Sequence, residues 1–394
     1  MGYVDIRNFV DINIVNKVVT QIDSTREAVV LFTLNTTIAP VATLYNIYNS
    51  LEEVEETGIN KNTNSYKYAK VYFENGGIKL VCVNINYGNS GEPYEFYTPS
   101  NILPFVKELP NEYIIIAVEE TNNWDLMAEL ASTYNASTID GKAVYGVKWK
   151  IFLTNMLYTS GPQELPALGL DAIENFCIKL TDTTNQVGGE MTIAAYLNQI
   201  DFYANETVQD YDFTPEKLST TLFDTLDMNT YVSTCIQYHA NISVKLNNVV
   251  RNIGGDLANG ENLVNKFALI VLHQTLSQVV FNTLTQKLKG KDAITALYGT
   301  ISQELNKYVN DGYLTLDKIW TNQSVIVTKN GINYTLIEKG TPLVKGYYIS
   351  ILPYSSLTAE ELAAHKCPDI YVFIADNYTI RKVTINGKVG GSIA

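Results

Sequence analysis

Lys345-Gly346-Tyr347-Tyr348-Ile349-Ser350-Ile351-Leu352-Pro353 is rich in aromatic and β-branched residues and closes on a proline, which predicts a buried strand that cannot be extended. A short helix is expected next, because Thr358-Ala359-Glu360-Glu361 is a capping box. The Thr358 hydroxyl accepts from the N–H of Glu361, whose carboxylate reaches back to the cap, and Pro368 ends the helix. Ile370-Tyr371-Val372-Phe373-Ile374 reads as a strand buried on both faces. After a turn at Asp376-Asn377, Tyr378-Thr379-Ile380-Arg381-Lys382-Val383-Thr384-Ile385 is a strand with charges mixed in, released by Gly387, Gly390 and Gly391. Such a strand suits an edge, where it can complete a sheet in its own subunit or in a neighbour.

The other end of the chain carries a second strand of edge character. Phe9-Val10-Asp11-Ile12-Asn13-Ile14-Val15 alternates with period two, so Val10, Ile12 and Ile14 share one half-buried face. A polar stretch over 20–26 links it to Ala28-Val29-Val30-Leu31-Phe32-Thr33-Leu34, apolar enough for an interior strand. A capping box at Ser50-Leu51-Glu52-Glu53 opens a short acidic helix ending at Gly58, and from Ser65 the residues Tyr68, Ala69, Tyr72 and Phe73 recur at helical spacing until Gly76-Gly77. Strands are expected over 78–85, 113–118 and 143–153, with helices from Trp124 and over 190–202. This rhythm of strand and helix predicts a layered α/β domain with parallel pairs, ending at a linker around Asp210-Tyr211-Asp212-Phe213-Thr214-Pro215.

Beyond the linker the pattern changes to hairpins and two long helices. Residues 242–246 and 249–253 form a hairpin turned at Asn247-Asn248. Over 263–288, Leu263, Phe267, Ile270, Val271, Val279, Phe281 and Leu284 cover most of a helix circumference, which predicts burial on most sides. A second helix over 294–309 has Leu297, Tyr298, Ile301, Leu305, Tyr308 and Val309 on one stripe, with Gly312 as its stop. Another hairpin, 325–327 with 334–337, turns at Asn330-Gly331.

With 394 residues, 46% of them hydrophobic, the chain can bury large cores and has room for two or three domains. Its formal charge of −13 argues against wrapping nucleic acid or lying on an anionic membrane, and points to protein partners. No apolar run approaches the roughly 20 residues of a membrane span, and Met1-Gly2-Tyr3-Val4-Asp5 does not open a signal peptide, so a cytosolic origin is expected. Cys82, Cys177, Cys235 and Cys367 are far apart and read as reduced thiols.

Catalytic patterns are missing. Of the three histidines, His273 sits in a mostly apolar helix and reads as a core or interface residue, His365 as the exposed end of a short helix, and neither forms an i, i+4 pair with another histidine such as His239. There is no Walker loop and no G-x-G-x-x-G; Gly88-Asn89-Ser90-Gly91 lacks the spacing of a nucleophile elbow, and Asp210 with Asp212 lacks further oxygen ligands. Lys287, Lys289 and Lys291 make one small basic patch, explained equally by a helix C-terminus or by an acidic partner. Together these absences favour a structural or interaction protein.

Several stretches resemble one family. Phe9-Val10-Asp11-Ile12-Asn13-Ile14, Ser50-Leu51-Glu52-Glu53-Val54 with Gly58, and Tyr66-Lys67-Tyr68-Ala69-Lys70-Val71-Tyr72-Phe73 resemble the N-terminal half of contractile tail sheath proteins of bacteriophages (myoviruses) and phage-tail-like bacteriocins. Residues 242–255, the long helix, Asn306-Lys307-Tyr308-Val309-Asn310-Asp311-Gly312-Tyr313-Leu314, and Gly346-Tyr347-Tyr348 through Ile385 follow the order of the sheath C-terminal domain.

The resemblance implies α/β and α+β architecture: an N-terminal arm (1–25, strand 9–15), an outer layered α/β domain (26–215), a C-terminal α+β domain (216–376) and a C-terminal arm (377–394). Phe9, Val10, Ile12, Ile14, Ile380, Val383 and Ile385 are then expected in inter-subunit strands, Lys287, Lys289 and Lys291 facing a tube, and the N-terminal strand packed with residues 216–394. The implied role is a non-enzymatic sheath subunit of the virion tail, without cofactor or metal, assembled in the host bacterial cytoplasm. It forms a homo-oligomer of stacked hexameric rings around a tail tube protein, bounded by baseplate and tail terminator proteins, with no nucleic acid and no direct membrane insertion. Contraction would drive the tube through the target cell envelope. The competing readings are a hydrolase or transferase of the α/β type, and a tail tube or baseplate protein, against which the two long helices count.

Overall fold

A computed structural model describes residues 13–14, 29–40, 43–87, 94–110, 113–120, 123–136, 138–139, 142–143, 150–157, 169–181, 187–199, 212–213, 228–246, 249–284, 290–310, 314–363 and 366–375. Strands and helices are numbered in chain order.

The uninterrupted apolar runs of the first half become the centre of a nine-stranded sheet. Six of its strands are parallel neighbours in the spatial order β4 (Leu80–Asn84), β2 (Val29–Thr33), β5 (Ile115–Val118), β8 (Ile151–Leu157), β9 (Phe176–Thr181) and β11 (Asn241–Leu246). Every residue of β2, β4 and β5 is buried, as strands covered by helices on both faces require. β3 (Tyr45–Tyr48) lies antiparallel to β4 at one edge; β12 (Val249–Ile253) and then β10 (Asp212–Phe213) complete the other.

Alternate side chains of each strand enter different cores. Leu31, Cys82, Ala117, Leu153 and Cys177 pack with α2 (Asn64–Glu74) and α5 (Met191–Gln199). Phe32, Val83, Ile116, Phe152 and Ile178 pack with α3 (Pro99–Glu108), α4 (Trp124–Ala136) and Cys235 of α6 (Met228–Gln237). The short α1 (Leu51–Glu56) starts on the expected serine: Ser50 Oγ accepts from Glu53 N at 3.2 Å, while the Glu53 carboxylate accepts from Asn49 N at 2.7 Å.

Several sequence expectations are corrected here. The sheet does not stop near residue 215, because β10 lies within the expected linker and β11 and β12 extend the sheet well past it. The junction is pinned by buried polar groups: Asn241 Nδ2 donates to Ile178 O at 3.1 Å, and Lys179 Nζ donates to Ser243 Oγ and Asn252 Oδ1, both at 2.6 Å. The strand expected over 143–153 is instead Ile151–Leu157, with Ala143 in a two-residue pairing of β6 (Thr138–Ile139) and β7 (Lys142–Ala143). α3, β3 and α6 were not anticipated. α3 carries Pro104 in its interior and Pro99 in its first turn, and its N-terminus is held by Thr98 Oγ1 accepting from Asn101 N at 3.3 Å.

The first core runs on without a break into the C-terminal half. α7 (Leu263–Leu284) buries Leu263, Phe267, Ala268, Ile270, Leu272 and Leu276 around its circumference, and α8 (Gly290–Asn310) meets it along Leu297, Ile301, Leu305 and Tyr308. Tyr298, expected on that stripe, is one position off the seam and 43% exposed. A third, smaller core lies under the hairpin of β14 (Val325–Lys329) and β15 (Ile332–Ile337). Asn330 and Gly331 turn it with φ of 53° and 76°, the left-handed pair that suits a two-residue hairpin loop. β13 (Lys318–Ile319) pairs with β16 (Pro342–Leu343) beside it.

Candidate assembly interface

Two of the expected C-terminal strands form a small sheet separate from the large one, and the third, expected over 378–385, lies outside the described residues. β17 (Tyr347–Ile351) and β18 (Ile370–Ile374) are antiparallel, with Tyr347 opposite Ile374 and Ile351 opposite Ile370. On the other side of β18 lies β1 (Asn13–Ile14), from the opposite end of the chain, parallel, with Asn13 opposite Tyr371 and Ile14 opposite Val372. Among the described residues the spatial order β1-β18-β17 leaves β18 as the central strand and the other two as edges.

The doubly buried reading of Ile370-Tyr371-Val372-Phe373-Ile374 has a direct structural cause. Val372 and Ile374 enter the core shared with α7 and α8, while Tyr371 and Phe373 enter the hairpin core, where the Phe373 ring meets Trp320 edge-on at 5.3 Å. Tyr347 OH anchors the sheet to α8, donating to Asn306 Oδ1 at 2.8 Å. The strand ends are tied as well, by Ala375 N to Gly346 O at 2.8 Å and Leu352 N to Asp369 O at 3.0 Å. The edge strand β17 is less enclosed: Tyr347 is buried, Tyr348 is exposed, and the remainder is half-buried.

The connection between these strands is clamped electrostatically. α9 (Ala359–Ala363) carries the complete capping box, with Glu361 N donating to Thr358 Oγ1 at 3.1 Å and Thr358 N donating to Glu361 Oε2 at 3.0 Å. Lys329 at the hairpin end reaches Asp369 Oδ2 at 3.0 Å and Glu361 Oε1 at 3.6 Å. Burial alone would lower its pKa, but the Asp369 and Glu361 carboxylates outweigh that and hold it above the ordinary lysine value. The Thr358 N–H, aided by Lys329 and Lys366, keeps Glu361 below the usual carboxylate range.

Of the residues singled out from sequence, Ile14 lies in β1. Phe9, Val10, Ile12, Ile380, Val383, Ile385, Lys287 and Lys289 fall outside the described residues. Lys291 is at the start of α8, so the cation-at-a-C-terminus explanation does not apply to it. His273 is buried in α7 as expected of a core histidine, and the cysteines are free thiols. Sequence reading missed Trp320, Tyr347 and Asn306 as the supports of the small sheet; the signal available was only that Trp320 and Tyr347 flank the predicted hairpin. Among the described residues no helix is long and apolar enough to cross a membrane, and no group of three or more acidic, histidine or cysteine side chains is placed to hold a metal ion.

This arrangement, a parallel-rich sheet continuous with two long helices and a small sheet that joins both chain ends, defines a fold found in subunits of contractile sheaths. The helical sheath of the anti-feeding prophage in its contracted state superposes with a TM-score of 0.58 at 12% identity, covering 98% of each chain. The sheath complex of an extracellular contractile injection system (PVC), also contracted, gives 0.60 at 11% identity over 96% of each chain. A chain of the anti-feeding prophage baseplate gives 0.59 at 11% identity, covering 97% of this chain and 98% of that one. No protein-family model and no curated protein matches the sequence.

Proposed function

We propose that this chain is the structural subunit of a contractile tail sheath. Copies assemble as stacked hexameric rings around a tail tube, between a baseplate and a terminator, in a tail particle built in the bacterial cytoplasm. Shortening of that lattice drives the tube through a target cell envelope. The observation that carries this reading is fold likeness to sheath chains along almost the full length of both partners.

The small sheet supplies the physical means. Its edges offer backbone N–H and C=O groups to further strands, and each added hydrogen bond contributes about 0.5–1.5 kcal/mol net. Links made through backbone survive rotation and sliding of the bodies they join. In this reading residues 1–25 and 377–394 are arms lent to neighbouring copies, with Phe9, Val10, Ile12, Ile14, Ile380, Val383 and Ile385 filling the adopted sheet. Lys287, Lys289 and Lys291 then face an acidic tube.

The test is electron microscopy of purified protein. Full-length chains are expected to form regular tubes, whereas chains cut after residue 376, or carrying Ile380→Asp, stay soluble, keep their helical circular dichroism and do not polymerise. Regular tubes from the truncated chain would remove the arm from the account. A full-length monomer that never polymerises would remove the sheath reading itself.

A further inference from the structure

Away from the small sheet, several buried polar side chains gather at the carboxyl ends of the parallel strands. Taking β2, β4, β5, β8 and β9 in sequence order, their spatial order is 2-1-3-4-5, so the winding reverses between β2 and β5. Open α/β sheets form a crevice at such a reversal, outside the carboxyl ends of the two strands, and ligands bind there. In this chain the α2 crossover lies on one face while α3 and α4 lie on the other, the arrangement that goes with such a reversal.

Four oxygen-bearing side chains converge on it. Thr33 ends β2, Ser65 lies in the first turn of α2, Tyr97 precedes α3 and Glu119 directly follows β5. Tyr97 OH donates to Glu119 Oε1 at 2.7 Å and accepts from Leu34 N at 3.1 Å, and the Thr33 and Ser65 hydroxyl oxygens are 3.4 Å apart. Glu119 is 8% exposed, and its second oxygen, Oε2, is buried and, among the described residues, has no group in hydrogen-bond geometry. Burial pushes the Glu119 carboxyl up, opposed by the nearby hydroxyls of Ser65, Tyr97 and Thr33. A second buried carboxylate, Glu190, lies beyond Tyr68, whose hydroxyl feels both acids. Unlike Glu119, Glu190 is satisfied at both oxygens, which accept from Asn155 Nδ2 at 3.0 and 2.8 Å.

We propose that the crevice between β2 and β5 binds a hard divalent cation, calcium or magnesium, through Glu119 Oε2 with the Thr33 and Ser65 hydroxyls as neutral oxygen donors. An anionic oxygen removed from water costs several kcal/mol unless a positive charge meets it. The named hydrogen bonds to Glu119 and Glu190 come from hydroxyl and amide groups, which do not supply that charge. A donor set made only of oxygen selects calcium or magnesium over zinc or copper.

The site is tested on chelator-stripped full-length protein at neutral pH, by calorimetric titration with calcium chloride and separately with magnesium chloride. One ion is expected to give a saturable heat and to raise the unfolding temperature. Glu119→Gln should abolish both effects, Ser65→Ala should weaken them, and Glu120→Gln, at the exposed neighbouring position, should leave them intact. Circular dichroism establishes that each variant is folded, with Ser65→Ala carrying the test should Glu119→Gln unfold. No heat with either ion, or equal heat in Glu119→Gln, overturns the proposal. So does an acid stabilisation that Glu119→Gln removes and that neither ion reproduces at neutral pH, which would make Glu119 a carboxyl kept neutral by a proton.

Discussion

Glu190 and Lys179 are both fully enclosed, and burial moves their pKa values toward each other, to about 7 in each case. For Glu190, the folded value lies above the ordinary carboxylate value of 4.5, so its contribution is complete below that pH and is lost as pH rises through about 7. For Lys179 the folded value lies below 10.5, so stability is lost as pH falls from there toward about 7. The two groups therefore combine into a stability minimum near neutrality, where each is held against its preferred charge state. Glu190→Gln, which keeps the amide-compatible shape beside Asn155, should flatten the acid side of that minimum. Chemical denaturation at a series of pH values is expected to show the wild type losing on the order of 3 kcal/mol between acid and neutral pH and the variant losing much less. Neither group announces itself in sequence: Lys179 interrupts an apolar strand and Glu190 precedes a helix, and only the fold reveals that water is excluded from both.

At the scale of elements, local chemistry decided what could be read. The hairpin at Asn330-Gly331, the helix opened by Thr358 and the strand Ile370–Ile374 each carry a signal within a few residues, and each forms as that signal requires. Thr358→Ala is expected to cost about 1 kcal/mol, because Glu361 N loses its side-chain acceptor, while the backbone N–H at position 358 still donates to the Glu361 carboxylate. Thermal denaturation should show the loss, with α9 the first segment to exchange its amides. Elements without such signals were missed. α3 contains Pro104, which reads as a helix breaker, but packing of Ile102 and Val106 against the sheet outweighs the lost backbone bond. β3 is a four-residue edge strand of tyrosines, asparagine and isoleucine with partial exposure, too short and too mixed for a period to emerge. The candidate interface was legible in its strands but not in its assembly. Tyr347 and Phe373 mark themselves as strand residues, whereas the parallel pairing of β1 with β18 joins residues from opposite chain ends, and no local pattern encodes it.

At the scale of the molecule, composition changes at Pro215 while the large sheet continues past it through β11 and β12. A polypeptide of residues 216–394 alone would expose β11, the apolar side of α7 and the buried polar row of Ser243 and Asn252. It is expected to be insoluble or unfolded when produced by itself, with the complementary fragment 1–215 equally unstable; a soluble, cooperatively melting 216–394 fragment would contradict the shared core.

That unbroken core from β2 to β18 bears on how a stroke could be delivered. A body without an internal seam cannot fold at its waist, so it would pass load from its outer face to its inner one as a rigid lever does. On the proposed sheath reading, all the travel of a contracting lattice would then be taken up at the joints between copies, and wear and failure would concentrate there.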